Sequence, residues 1–424
     1  MYGGAVYVGT NVNTKSSNNT FTQNSSDTYG GAVAFYAKDN NGTKLYNNSE
    51  FISTGDVYTD NYCNGDSMNK MGGGAIIVTG YNATINNATI VNNKTVKGYG
   101  GGIFYKQNVL SNSTGKNLSV NGSTITGNSA VNGGAIANYG SGSLNLLADI
   151  TLNGCNVNNN IATDKGGAVY AQATLNLNII DSLIYANQAQ GTGKNGNNYS
   201  GVGGGIFAIP NNSNGLNLNV SGSTHIYKNT SLNETKKIAF SNDTCGVSSD
   251  IAVYDYELKS AGKTVIYRTN LNFDSDDNKV LNTEESTYQL KQAEDQIVNT
   301  KQGSATKKYT YHVYYTDESV KPRIYISDSG SEHTNPNDKV VNNLNDAIEE
   351  AIANHVNKIY ICNTVKIDSD LTLSDDVTYV RCENNKKAMF EVEAGATLTI
   401  QKGIFDGNLV EATNSMIEAN APQS

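Results

Sequence analysis

The sequence predicts an all-β fold built as a parallel β-solenoid, and three observations carry that prediction. A Gly-Gly-Ala-Ile-like tetrad recurs as Gly3-Gly4-Ala5-Val6, Gly30-Gly31-Ala32-Val33, Gly73-Gly74-Ala75-Ile76, Gly101-Gly102-Ile103-Phe104, Gly133-Gly134-Ala135-Ile136, Gly166-Gly167-Ala168-Val169 and Gly204-Gly205-Ile206-Phe207. An apolar-x-x-Asn motif alternates with it as Phe21/Asn24, Ile90/Asn93, Ile125/Asn128, Val157/Asn160, Ile184/Asn187 and Ile226/Asn229, while Phe51 has Thr54 in the asparagine's place. Between the motifs the chain reads as short alternating strands such as Leu216-Asn217-Leu218-Asn219-Val220, with no long apolar period of 3.6 and 4 prolines in 424 residues.

Measured from the last glycine of each tetrad, the steps are 27, 43, 28, 32, 33 and 38 residues. A period in that range marks a stacked-coil array, with the excess placed in loops. Residues 1–255 therefore form the first solenoid, read as three short strands per coil. The glycine pair gives a turn with positive φ and close coil-to-coil approach. The Ala, Ile or Val after it enters a narrow core, and the asparagines are expected to bond along the axis as a ladder. Ile125, Val157 and Ile184 should share one buried column. The segment 248–254, ending in Ile251-Ala252-Val253-Tyr254, replaces the last tetrad and reads as a capping coil. The stretched steps place loops at 54–71 and 188–202, and Tyr58, Tyr62 and Tyr199 on them are the candidate contact residues for a partner.

From 256 to 322 the glycine motif disappears and charge density rises, which marks a small β-rich connecting module. Strands are expected at 264–268 and 309–315, and a short helix at 288–298. Inside it Asp274, Asp276 and Asn278 take positions 1, 3 and 5 of a twelve-residue calcium loop and Glu285 takes position 12, with Lys279 where the usual glycine stands. That makes calcium a candidate ligand. Past Pro322, Arg323-Ile324-Tyr325-Ile326-Ser327 reads as a strand. Val340, Val341, Leu344, Ile348, Ala351 and Ile352 give one apolar helix face, and short strands follow at 358–362, 365–367, 371–373, 377–380, 389–392 and 396–400.

The two alternating motifs together resemble the repeats of the polymorphic outer membrane protein and adhesin-like family, whose members are right-handed parallel β-helix surface proteins. The order of strand, capping helix and short strands in 323–424 resembles the start of a second β-helix of the pectin-lyase-like kind. The resemblance implies an extracellular, cell-surface protein, an adhesin or structural stalk with a host or environmental glycan or a surface protein as partner, and it supplies no catalytic residue. It departs from the outer-membrane members in lacking the alternating aromatic-rich strands of a membrane barrel.

Charge is unevenly placed. Residues 1–250 hold 13 Lys and no Arg against 12 acidic residues, which leaves 17 basic and 27 acidic residues for 251–424. No basic patch for nucleic acid exists, and no apolar run is long enough to span a membrane. Met1-Tyr2 leads straight into a glycine tetrad, so an internal piece of a longer exported protein is expected, with its export signal and anchor elsewhere. Of the cysteines Cys63, Cys155, Cys245, Cys362 and Cys382, the last two end similar strands 20 residues apart and are expected to stack, as a ladder pair or a disulfide.

The competing reading is a carbohydrate-active enzyme of the β-helix fold, which needs clustered acids beside a basic residue on one outward face. Glu391, Glu393, Asp406 and the pair Asp375-Asp376 are the candidates for it. His225, His312, His333 and His355 lack metal-ligand spacing.

Overall fold

The structure is a computed structural model that describes residues 3–9, 12–36, 49–65, 71–107, 116–140, 148–172, 174–191, 201–210, 215–231, 250–260, 263–283, 286–292, 296–302, 305–327, 337–374, 376–408 and 416–419. The chain divides into two compact units, 1–281 with 289–317 and 282–288 with 318–424. Both are built of parallel sheets of stacked strands, the pattern of a β-solenoid, and the described residues hold one α-helix.

In the first unit one coil shows the rule for the others. Leu118–Asn121, Thr124–Thr126, Ser129–Asn132 and Ile136–Gly140 are consecutive strands, and each pairs in parallel with its counterpart one coil away. Each coil thus contributes four strands rather than the expected three. The extra one follows the motif asparagine, and at places it is two residues long, as at Tyr62–Cys63. A strand of two residues carries no alternation for the sequence to display.

The bends between strands need the left-handed region. Gly122, Gly127 and Gly133 occupy it at φ 57, 67 and 65; on neighbouring coils the first bend falls to Asn87 and the second to Asn92 and Asn159, while the third stays glycine at Gly100 and Gly166. Glycine and asparagine tolerate that conformation best, so much of the chain's richness in both residues is turn chemistry. Inside, Ile90, Ile125, Val157, Ile184 and Ile226 form one column through successive pairings and are at most 3% exposed.

The glycine tetrads stack as expected, with a change of register in two of them. Gly74 donates to the carbonyl of Gly100, and Gly101 to that of Gly133, while Ile103 pairs with both Ile76 and Ile136. The pair is therefore Gly100-Gly101, with Gly102 in the alanine's place, and Gly203-Gly204 likewise precede Gly205. On that register the steps become 27, 43, 27, 33, 33 and 37 residues. Three consecutive glycines left the register ambiguous, and the backbone pairing decides it.

The segment 54–71 is also not the loop expected from its length. Val57–Thr59 and Tyr62–Cys63 are regular strands paired on both sides. The coil that lacked its asparagine at Thr54 holds it at Asn61, with Tyr58 as the apolar member.

At the far end Ile251 takes its place beside Ile206, as a capping coil should. The strand Ala305–Val320 then runs antiparallel to Ile251–Ser260 from Tyr314 to Thr306. The helix expected at 288–298 is instead parts of the strands Ser286–Gln292 and Gln296–Gln302. Alternate β-favouring residues there outweigh a weak helical period.

In the second unit Ile324–Ile326, Lys358–Ile361, Thr378–Arg381 and Ile404–Asp406 stack in parallel. The helix is Leu344–Ala353, capped by Asn343, whose side chain accepts from the amide of Asp346. It begins later than its apolar pattern, because Val340 and Val341 belong to the strand Lys339–Val341, and Ile352 within it faces outward at 61% exposure. The strands Val365–Ile367 and Leu371–Leu373 fall where the sequence put them.

Candidate functional site

The most regular chemistry of the first unit is axial. Asn24, Asn61, Asn93, Asn128, Asn160, Asn187 and Asn229 each donate a side-chain N–H to the next Oδ1 at 2.8–2.9 Å, and the last acceptor is Asp250. The backbone N–H of each asparagine donates to the same oxygen at 2.8–3.0 Å. From Asn61 onward the second amide hydrogen goes to a carbonyl one coil back, as from Asn160 to Ile125. Asn61 to Asn229 are at most 1% exposed, so this ladder satisfies buried polar groups and meets no partner.

Asp250 ends the ladder because a carboxylate accepts on both oxygens and has no N–H left over. Its other oxygen accepts the hydroxyl of Thr316 on the closing antiparallel strand. Burial pushes its carboxyl up to about 6, against the hydrogen bonds from Thr316 and Asn229 that favour the charge.

The outward chemistry lies on the sheet formed by Thr14–Ser17, Glu50–Thr54, Asn82–Asn86, Leu118–Asn121, Ala148–Asn153, Thr174–Ile180, Leu216–Ser221 and Thr269–Phe273. Its inward residues, such as Leu118, Val120, Leu177 and Leu218, fill the core. On the outer face, Asn270 donates to Asn217, Asn217 to Asn176 and Asn176 to Asp149, at 2.8–2.9 Å. Beside that column Asn272 donates to Asn219 and Asn219 to Asn178, both at 2.8 Å. Thr84, Ser119 and Thr151 continue the second column on earlier coils.

These side chains are half-buried or exposed. The coil spacing of about 4.8 Å repeats them in register. A ladder amide bonded on both sides keeps one N–H and one oxygen lone pair for an outside partner. The face can therefore hydrogen-bond a neutral, hydroxyl-rich surface at many points.

Among the expected contact residues, Tyr58 is fully buried and this is a correction. It stacks on Phe21 at 4.9 Å, its hydroxyl meets Ser53 at 3.0 Å, and burial raises its pKa. A tyrosine read as a loop residue is the core member of a repeat, and the spacing Tyr58-x-x-Asn61 was the signal for it. Tyr62 is 40% exposed on its strand. Tyr199 lies outside the described residues. The outward aromatic pair that the sequence did not single out is Tyr185 and Tyr227, stacked at 5.2 Å on adjacent coils.

The described calcium candidates each have partners of their own. Asn278 is 3% exposed, accepts from the amide of Ser275 and donates to the carbonyl of Gly222 at 2.6 Å. It closes a capping box over the short 3-10 turn Asp276–Lys279. Asp274 accepts from the amide of Gly222, and Asp276 pairs with Lys279 at 2.8 Å. Glu285 lies outside the described residues. Among the described residues no group of three or more His, Cys, Asp or Glu is placed to hold a metal ion.

The acids considered for catalysis are also separated. Glu391 belongs to the sheet containing Val365–Ile367, and Asp406 to the one containing Thr378–Arg381, so they do not share a face. Glu393 pairs with Lys366 at 3.2 Å and Asp376 with Lys402 at 3.2 Å, while Asp375 lies outside the described residues. Asp406 accepts from the backbone of Asn408. Cys362 and Cys382 form a disulfide, and Cys63 and Cys155 are buried thiols.

No described helix is long and apolar enough to cross a membrane, which leaves membrane strands unaddressed. Comparison of the chain with protein-family models, with curated proteins and with solved structures finds no significant match.

Proposed function

We propose that this chain is part of an extracellular, cell-surface protein of the right-handed parallel β-helix class that acts as an adhesin or structural stalk through non-covalent contacts. The observation that supports this most is the outer amide face. Asn176, Asn178, Asn217, Asn219, Asn270 and Asn272 form two columns locked by their own hydrogen bonds and still able to make more. A face pre-ordered in this way loses little side-chain entropy on contact. Neutral amides suit a neutral glycan or a polar protein surface, and the stacked Tyr185 and Tyr227 provide an aromatic contact on another side.

The disulfide between Cys362 and Cys382 supports an oxidising compartment. On this reading the second unit is the helix-capped beginning of a second β-helix, akin to the pectin-lyase-like class. The repeats are akin to those of polymorphic outer membrane proteins.

The test is retention on immobilised glycans and on surface-protein extracts, run beside a turnover assay with polygalacturonate and mixed glycans. Wild type should be retained, Asn178→Ala with Asn219→Ala should weaken retention several-fold without unfolding, and neither unsaturated product nor new reducing ends should appear. Turnover abolished by changing Glu391 or Asp406 would move the chain to the polysaccharide lyases or glycoside hydrolases of this fold.

A further inference from the structure

Arg381 is the one described cation whose burial has no counterpart in the hydrogen bonding. It closes the strand Thr378–Arg381, pairs with Ile361, and shares the face of Tyr379 two residues before it. Ile361 and Tyr379 belong to the apolar core of the second unit, so the guanidinium enters the coil from its inner face. The residue is 3% exposed, and its Nε and Nη2 are buried with no hydrogen-bond partner among the described residues. Removing a guanidinium from water without a partner is strongly unfavourable. Such an orphan in a folded chain calls for a water or an ion.

Which atoms are orphaned narrows the choice. Nε–H and Nη2–H lie on one edge of the planar guanidinium and point the same way, forming the fork that takes the two oxygens of a carboxylate side by side. The local structure leaves that fork in place. The carbonyl of Arg381 is held by the side chain of Asn408 at 3.2 Å, and the turn after it is fixed by the disulfide of Cys382 and by Asn385, which bonds the carbonyl of Ile361 at 3.2 Å.

On the next coil the register Val380↔Asp406 brings Gly407 level with Arg381. Among the described residues, a Cβ added at Gly407 would meet one heavy atom within 4 Å, the sulfur of Met416 at 3.7 Å. Lys386, Lys387 and Glu383 are exposed on the turn that follows Arg381.

We propose that Arg381 is a binding site for the carboxylate of a small acid or sugar acid, held bidentately by Nε and Nη2 inside the second unit. This goes beyond the surface contacts of the adhesin reading and does not depend on them. A site of this kind carries its cost in the free protein, so an apolar residue of similar length should stabilise the empty chain while abolishing the ligand's effect.

The experiment uses the full chain. Thermal unfolding and line broadening of 13C-labelled formate are measured with formate, acetate, D-glucuronate and phosphate against sodium chloride at equal ionic strength, in wild type, Arg381→Met and Arg381→Lys. Wild type should broaden formate and gain a few degrees in Tm with the carboxylates beyond chloride, consistent with mass action on the folded state. Arg381→Met should melt higher than wild type in chloride and lose both responses, and Arg381→Lys, which keeps the charge without the fork, should lose most of them. A larger response to phosphate than to any carboxylate would overturn the ligand class. No anion-specific response in wild type would leave water as the partner of Arg381. An Arg381→Met chain that unfolds or melts lower in chloride would make the guanidinium a structural group, and each of these results overturns the proposal.

Discussion

Asp250 shows how a single residue sets a boundary in this fold. Seven asparagines pass hydrogen bonds in one direction, and the chain ends the series with a side chain that receives and does not pass on. Its carboxyl is raised to about 6 by burial, above the usual value near 3.8. A raised acid binds its proton more tightly folded than unfolded, so the stabilising effect is complete below about pH 4 and is lost as pH rises through 6. Over that window the difference is about 3 kcal/mol. Asp250→Asn keeps the oxygen that Asn229 needs and removes the buried charge, while the Thr316 hydroxyl can turn to accept. The variant should melt higher than wild type at pH 7 and gain little at pH 4.5. A variant that melts lower at both pH values would show that the charge itself holds the cap.

Residue-scale chemistry was unevenly legible. The asparagine column and the column of Ile125, Val157 and Ile184 could be read because both motifs repeat with their neighbours intact. Tyr58 keeps that spacing with Asn61 but was missed, because its coil departs in the apolar residue and in the distance to the next glycines. A tyrosine beside polar residues looks exposed until Ser53 and Asp56 are known to meet its hydroxyl inside the coil.

At the scale of elements, the tetrad is the tightest joint. A Cβ at Gly134 would lie 2.2 Å from the carbonyl oxygen of Gly167 and 2.6 Å from the amide of Ile161, both backbone atoms of the next coil. At Gly154 the nearest atom is 3.8 Å away and the cost is its φ of 63 alone. Gly134→Ala should therefore destabilise by more than about 2 kcal/mol, while Gly154→Ala should cost about 1 kcal/mol, the price of a left-handed alanine. Chemical denaturation of the two variants checks this, and equal losses would mean that the coils can spread.

The acidic turn Asp274–Lys279 belongs to the same scale. Its sequence spacing fits an oxygen cage, yet Asn278 is committed to the turn's own cap and Lys279 to Asp276. Several millimolar calcium should leave the melting temperature of wild type and of Asp276→Ala unchanged relative to chelator. A rise in wild type that Asp276→Ala abolishes would restore the metal site. The four-strand coil and the strands at 286–292 and 296–302 were hidden from the sequence for a related reason: elements this short are fixed by pairing partners far along the chain.

For the whole molecule, the composition now has a physical account. Asparagine and glycine fill three jobs, the left-handed bends, the buried ladder and the outer columns, and each leaves the thin core to Ile, Val and Leu. A second apolar cluster lies on the other face of the glycine-led sheet, where Ile77, Phe104, Tyr170 and Phe207 are buried and Tyr170 stacks on Phe207 at 5.6 Å. The sequence signalled it only as two apolar residues in a row after six of the seven tetrads, the mark of a strand covered on both faces. What the sequence could not show was which outward residues line up, since that depends on the register between coils.

That register is the claim on which the ladder, the amide face and the adhesive reading all depend, and engineered disulfides measure it directly. Thr151 pairs with Asn178 on adjacent coils, and Asp149 with Asn176. Oxidation of the double variant Thr151→Cys/Asn178→Cys should close a cross-link in high yield, because directly paired positions lie within disulfide reach. The control Thr151→Cys/Asn176→Cys, displaced by two residues to roughly 8 Å, should stay reduced. Cross-linking of the displaced pair in preference to the aligned one would contradict the stacking and everything built on it.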